Sequence, residues 1–444
     1  TEVQQLATVA GTGGVFIANT QALEITTIGL TPISRVETDG STTSVEDTAV
    51  LAGVSGGADI SVTAGAGDLV VTEAINLTAA GNMLLESQSG DVTLNNTVTA
   101  ATGNISVLAE GSVAIDGNLI TGNGLGAVSG TIDLNASTGS VSIGESITVQ
   151  SDQADIRILA DGDVSLGLVD ARTATGRVAG TNVDQAGWGA ISITSISGSI
   201  GDVSVTGTDI DLYANELRLS ALNGSIGSDN LLDIEASQVA AESGAGGINL
   251  FDVTAIEVTT VTAVSVNRVA SDASTSAISD TASLIGLEAD ALGDEGSIVL
   301  VTDTGAITIN DNLISGLHTL LEAATEIAVN ATLSIGADTS LIATTDIAIA
   351  GGESINAVGS IELQAQTGDI TLGSAGVSAA TLTTDAANIL LNAGGAIGLG
   401  TLDARSASDR GTDTLIDQGT WGDVSLQAGD EIVDLPANAD VNVY

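Results

Sequence analysis

Residues 130–144 read GTIDLNASTGSVSIG, and residues 359–373 read GSIELQAQTGDITLG. In the first, Ile132 and Leu134 alternate with polar residues, and after a Ser-Thr-Gly-Ser turn Val141 and Ile143 do the same. A two-residue apolar period over so short a run is that of a β-strand with one buried face. The glycine between the runs supplies the positive-φ position that a tight turn needs. The same texture recurs at Val92 and Leu94, Ile105 and Val107, Val113 and Ile115, Ile156 and Ile158, and Val164 and Leu166. Comparable strands return after roughly 20 to 26 residues, the range of repeat lengths that marks a solenoid. No segment carries an amphipathic-helix period with caps.

A longer period encloses the short one. GGVFIANTQALEITTIGLTPISRV (13–36) returns as GGINLFDVTAIEVTTVTAVSVNRV (246–269), and STTSVEDTAVL (41–51) as STSAISDTASL (274–284), an offset of 233 residues. The register then drifts by a few residues, as turn insertions require: GDLVVTEAINL (67–77) corresponds to GAITINDNLI (305–314). The offset of 233 recovers at DIRILADGDVSLG (155–167) against NILLNAGGAIGLG (388–400). It holds through DARTATGRVAGTNVDQAGWG (170–189) against DARSASDRGTDTLIDQGTWG (403–422), where ten of twenty positions are identical. The chain of 444 residues thus holds about 1.9 copies of one module, 1–233 and 234–444, and the second copy stops short.

Composition selects the architecture. There are 55 Gly but only 2 Pro, 2 Phe, 2 Tyr and 2 Trp, with 1 Met, 1 His, no Cys and no Lys. Hydrophobic residues make up 43% of the chain, which a disordered acidic polymer lacks. A sheet sandwich with a core about 10 Å thick usually employs aromatics, whereas a narrow coil is filled by stacked Val, Ile, Leu and Ala. Tandem modules without a Pro/Gly/Ser-rich linker point the same way. The expected fold is all-β: a parallel β-helix, right-handed by the preference of parallel crossovers, with each strand bonded to its equivalents one coil above and below. Each coil should bury about six aliphatic side chains at about 1.5–3 kcal/mol each. Residues 200–245 keep the strand texture without Pro, so no hinge is expected between the copies. About ten coils stacked at about 4.8 Å give a module on the order of 50 Å long and a chain of roughly 90–100 Å. The corresponding radius of gyration exceeds about 27 Å, against about 22 Å for a compact globule.

The formal charge of −48, from 56 acids against eight Arg, disfavours nucleic acid and anionic membrane surfaces as partners. No stretch reaches the roughly 18 to 20 apolar residues of a membrane span. The absence of Cys excludes disulfides, thiolate-held zinc and thiol catalysis. The start, TEVQQLATVAGTGG, lacks Met and a signal-peptide pattern, so the chain reads as a segment of something longer.

GGVFIANTQALEITTIG and GTIDLNASTGSVSIG resemble the tandem repeats of giant bacterial exported proteins of the filamentous-haemagglutinin-like type. The resemblance covers nearly the whole chain and implies a β-solenoid at the cell surface or outside the cell, in an adhesin or extracellular fibre. The expected role is a structural segment of such a fibre, self-associating or continuing into further modules. An adhesin gripping a glycan or surface protein is the second reading. A β-helix polysaccharide-degrading enzyme is the third. Against the last, the chain has no Lys and a single imidazole, His318, although abundant carboxylates would serve a glycosidase. No enzyme and no cofactor is expected.

Two places are candidates for interaction. The Trp block lengthens its coil by roughly ten residues and gathers Asp170, Arg172, Arg177, Asp184 and Trp188, repeated as Asp403, Arg405, Arg410, Asp417 and Trp421. Either the indoles are platforms for a sugar ring, or the loop folds back on the coil, tied by Asp–Arg pairs with a guanidinium over the ring. For calcium, the densest acidic turn is Glu288, Asp290, Asp294 and Glu295, and stacked turn residues such as Asp91, Asp163 and Asp369 would form carboxylate ladders. The chain has no EF-hand or nonapeptide calcium motif.

Overall fold

The computed structural model describes residues 2–122, 124, 128–177, 185–204, 209–228, 230–289, 293, 296–373, 378–410, 421–435 and 443–444. They fold into two compact units, Thr1–Ile191 with Val264–Ser279, and Ser192–Ala263 with Asp280–Tyr444. Sequence repeat and compact unit are therefore different divisions of the chain: a piece of the second repeat belongs to the first unit.

The first unit is a stack of parallel coils, each with one long and two short strands. A typical coil runs Met83–Ser87, Val92–Leu94 and Val98–Ala100, and the next Ile105–Ala109, Val113–Ile115 and Leu119–Thr121. Each strand pairs in parallel with its equivalent one coil on, Met83 with Ile105, Val92 with Val113, Val98 with Leu119. Partners one coil apart are commonly 20 to 27 residues apart in sequence. Alternation follows from the pleat: Ile60, Met83, Ile105, Ile132 and Ile156 stack inward, as do Val62, Leu85, Val107, Leu134 and Ile158, and all are buried. The fifth position of each long strand is small (Ala64, Ser87, Ala109, Ala136, Ala160), because the chain turns a corner there.

The second unit repeats this scheme. Its long strands Ile298–Thr302, Thr319–Ala323, Thr339–Ala343, Ile361–Ala365 and Ile389–Ala393 stack in parallel register, with Leu300, Leu321, Leu341, Leu363 and Leu391 in one inward ladder. Two longer strands, Leu212–Ala221 and Leu232–Ser243, also lie parallel in this unit. The parallel β-solenoid expected from the alternation is what the chain forms. The described residues contain no helix long and apolar enough to cross a membrane.

Two elaborations interrupt the coils, at equivalent places in the two repeats. One is an antiparallel hairpin: Ile33–Val36 with Thr42–Val45, and Ser265–Val269 with Thr275–Ser279. The other is the Trp coil, across which Asp155 and Ala190, and likewise Asn388 and Asp423, are bonded at a separation of 35 residues.

Candidate functional site

In the first unit, Val169 and Asp170 end a short strand, which fixes the Asp170 carboxylate at the entry to the Trp coil. Arg172 closes a two-point fork on it, Nε to Oδ1 at 3.1 Å and Nη2 to Oδ2 at 2.8 Å. Arg177 donates to the same carboxylate at 3.0 Å, to the Arg172 carbonyl at 2.8 Å, and to Asp152 and the Ser151 carbonyl on the preceding coil. Asp152 and Asp170 are both buried, so these are charge-assisted bonds in a site that excludes water. Trp188 is buried as well, with 6% of its surface exposed.

The second unit builds the same knot. Arg405 forks onto Asp403 at 2.9 and 2.7 Å, and Arg410 lies 3.4 Å from that carboxylate. Arg410 also donates to the Arg405 carbonyl at 2.7 Å and to the Thr384 carbonyl. Burial opposes ionisation of Asp403, but the hydrogen bonds and charge of Arg405, with Arg410 beyond, hold its carboxyl below the usual carboxylate range. Arg405 itself is raised by its bonds to Asp403, and its guanidinium sits 4.1 Å from the centre of the Tyr444 ring. Trp421 is half-buried and donates its indole N–H to Asp409 at 3.1 Å. Both knots therefore bring together the Asp and the two Arg singled out by sequence. Asp184 and Asp417 lie outside the described residues. What this arrangement does chemically is tie a long loop to the coil beneath it.

Of the acidic turn, Glu288 is half-buried on the strand Leu287–Ala289, while Asp290, Asp294 and Glu295 lie outside the described residues. The turn acids Asp91 and Asp369 accept backbone N–H bonds from the next coil, Ser112 at 2.7 Å and Ala396 at 2.7 Å. These carboxylates thus act as steps linking successive turns, and no group of three or more potential metal ligands occurs among the described residues. His318 is exposed beside Asp338 at 3.4 Å.

Sequence reasoning did not anticipate the contact made by the second hairpin. Residues 265–279 lie along the outer face of the first unit's long strands. Val266 and Val269 are each 1% exposed, and Val269 packs with Ala273 against Leu84 and Leu108. The Val269 amide donates to Ser106 Oγ at 2.9 Å, and the Asn267 amide to Thr131 Oγ1 at 2.8 Å. Arg268 Nε donates to Asp133 Oδ2 at 2.5 Å, while Arg157 holds Oδ1 at 3.2 Å. Leu84, Ser106 and Asp133 are consecutive in one outward row, one per coil, and all are buried under this hairpin. An outward Leu84 and Leu108 in a chain whose outward positions are mostly polar was the available signal. Compared with known proteins, the chain matches no family model, no curated protein and no solved structure.

Proposed function

We propose that the chain is a structural segment of a long extracellular or cell-surface bacterial fibre assembled from tandem solenoid modules, of the filamentous-haemagglutinin-like type. One observation carries the reading: the two elaborations of the coil, hairpin and Trp coil, recur at equivalent places in both repeats. A repeated elaboration suits a structure that presents the same feature at intervals, and a catalytic centre gains nothing from it. The Asp–Arg knots support the same reading, because their charged groups are spent on one another and on backbone carbonyls. Incubated at rising concentration and viewed by electron microscopy, the chain should form filaments or bundles. Dispersed particles that instead retain a glycan or surface protein in pull-down would replace this reading with the adhesin.

The adhesin reading has one observation of its own. In the second unit a shallow groove runs past Ser334, Asn356 and Thr383 to Asp385 and Arg410, beside the Trp coil. Its hydroxyls, the Asn356 amide and the Asp385 carboxylate suit a saccharide. N356A and D385A should abolish glycan retention if that groove is the site, and leave filaments unchanged.

A further inference from the structure

The two hairpins are built alike and end differently. In each turn an Asp carboxylate accepts from the Ser two residues on, Asp39 from the Ser41 amide and hydroxyl at 2.9 and 2.6 Å, and Asp272 from Ser274 at 3.0 and 2.6 Å. These bonds lower both carboxyls from the ordinary value. The offset of 233 places Ile33, Arg35 and Val36 where the second hairpin has Val266, Arg268 and Val269. Yet Ile33 is 60% and Val36 70% exposed, and Arg35 is exposed. The first hairpin carries the side chains that seat the second, and among the described residues they are exposed.

A seat is present in the second unit. Leu320, Ser340 and Glu362 are consecutive in one outward row, one per coil, as Leu84, Ser106 and Asp133 are in the first unit. The polar ladder beside the row is reproduced too. Asn82 Oδ1 accepts from the Asn104 amide at 3.2 Å and Asn104 Oδ1 from Thr131 at 2.9 Å, just as His318 Nδ1 accepts from Asp338 at 3.3 Å and Asp338 Oδ1 from Ser360 at 2.8 Å. The burial differs. The second residue of the long strands is buried throughout the first row, whereas Leu320, Ser340 and Glu362 remain partly open. Beside Asp133 the next coil supplies Arg157, but beside Glu362 it supplies Leu390, which is 40% exposed. Glu362 thus has no cation from that neighbour and carries an apolar shelf next to it.

We propose that the first hairpin of one molecule docks on the Leu320–Ser340–Glu362 row of a second copy of this chain. In the joint Arg35 pairs with Glu362, Val36 covers Leu320, the Val36 amide donates to Ser340 Oγ, and the Ser34 amide donates to Ser360 Oγ. The occupant is a second copy because Arg35 and Val36 on the hairpin and Leu320, Ser340 and Glu362 on the row repeat, in residue type and charge, the pair already joined in the first unit. Such a contact is heterologous, so it adds molecules head to tail, and it builds an open filament where the rotation between copies does not close a ring. The proposal deepens the fibre reading by naming its joint, and it rests on that reading in taking the partner to be this chain. One hairpin makes a small interface, so the contact is weak at low concentration.

The chain has no Cys, so single cysteines report the contact directly. V36C mixed with L320C under mild oxidation should give a covalent dimer at least tenfold faster than V36C mixed with N330C, whose cysteine lies in an exposed turn. In sedimentation, R35E should weaken self-association at least tenfold, and R35E mixed with E362R should recover it. Equal cross-linking of the two cysteine pairs would overturn the proposal, as would R35E associating like the wild type. If filaments form and R35E leaves them unchanged, the hairpin joint fails and the fibre reading stands. If the wild type neither associates nor forms filaments, both fail. Loss of a different bound protein from R35E, with self-association unchanged, would assign the hairpin to that partner and overturn the joint.

Discussion

Arg268 reaches Asp133 across 135 residues of sequence, Nε to Oδ2 at 2.5 Å, and closes a triad with Arg157 around a fully buried carboxylate. Two guanidiniums on one carboxylate leave a net positive charge, and Asp133 is what offsets the repulsion between them. Removing the acid takes the shared carboxylate from two cations, one of them Arg157 with a nearly buried side chain. D133A should therefore destabilise the first unit by about 3–5 kcal/mol, the cost of breaking a buried pair. R268A should cost less, about 1–3 kcal/mol, because Arg157 still neutralises the carboxylate and the Arg268 side chain is 27% exposed. The double variant should be more stable than the sum of the two losses implies, as read from urea unfolding in a double-mutant cycle. Strict additivity would mean that the hairpin and Asp133 are independent.

Stability should fall as pH rises from 5 to 8.5. In the second unit burial, and then the charge of Asp202, pushes Asp211 up to about 8. Burial raises Asp252 to about 7, and burial with Asp202 and Asp209 raises Asp233 to about 6. Each of these groups keeps its proton longer in the folded chain. Its stabilising effect is complete below the ordinary value near 3.8 and is lost as pH climbs through 6, 7 and 8. D211N removes the charge while keeping an oxygen to accept the Asp233 amide, which Asp211 Oδ2 now accepts at 3.1 Å. At pH 8.5 it should raise the melting temperature by about 2–5 °C and flatten the pH profile. An unchanged profile would show that Asp211 is ionised at no cost. Asp403 acts in the opposite sense, since its lowered value removes stability as the solution is made acid.

The Trp coils should differ in what their indoles support. Trp188 is buried, so W188A leaves a cavity and should cost about 3–5 kcal/mol. Trp421 is half-buried and contributes one N–H bond to Asp409, so W421A should cost about half as much or less. D170A and D403A each remove the carboxylate that two guanidiniums share and should open the coil to limited proteolysis after residues 172 and 405 while the long strands stay protected. Lost glycan binding at unchanged melting temperature in either Trp variant would instead make the ring a platform.

The stack was legible in the chain because its cause is local. Ile132, Leu134, Val141 and Ile143 alternate with polar residues wherever the pleat turns them inward, and the Gly-centred turns set the coil length. The Asp170–Arg172 fork was legible for the same reason, since its partners are two residues apart. The seating of the second hairpin was not. ISRV at 33–36 and VNRV at 266–269 share Arg and Val and keep a β-branched residue first and a small polar one second, and nothing in either says that one lies on Leu84 and Asp133 while the other faces solvent. That outcome is decided by partners more than a hundred residues away. The one local trace is in the turn. Gly40 has φ 80°, and its counterpart Ala273 has φ 63°, a region costly for a residue with a Cβ. Packing of the Ala273 methyl against Leu84 and Val269 offsets that strain.

Hydrogen exchange in dilute solution compares the two hairpins most directly, because they serve as each other's control. The amides of Asn267 and Val269 donate to side chains of the first unit, so residues 265–279 should exchange as slowly as the long strands Ile105–Ala109 and Ile132–Ala136 beneath them. Residues 33–45, with the same kind of turn and pairing but exposed side chains, should exchange orders of magnitude faster. Equal rates in the two hairpins would contradict the account, because the second hairpin would then be held no better than the first.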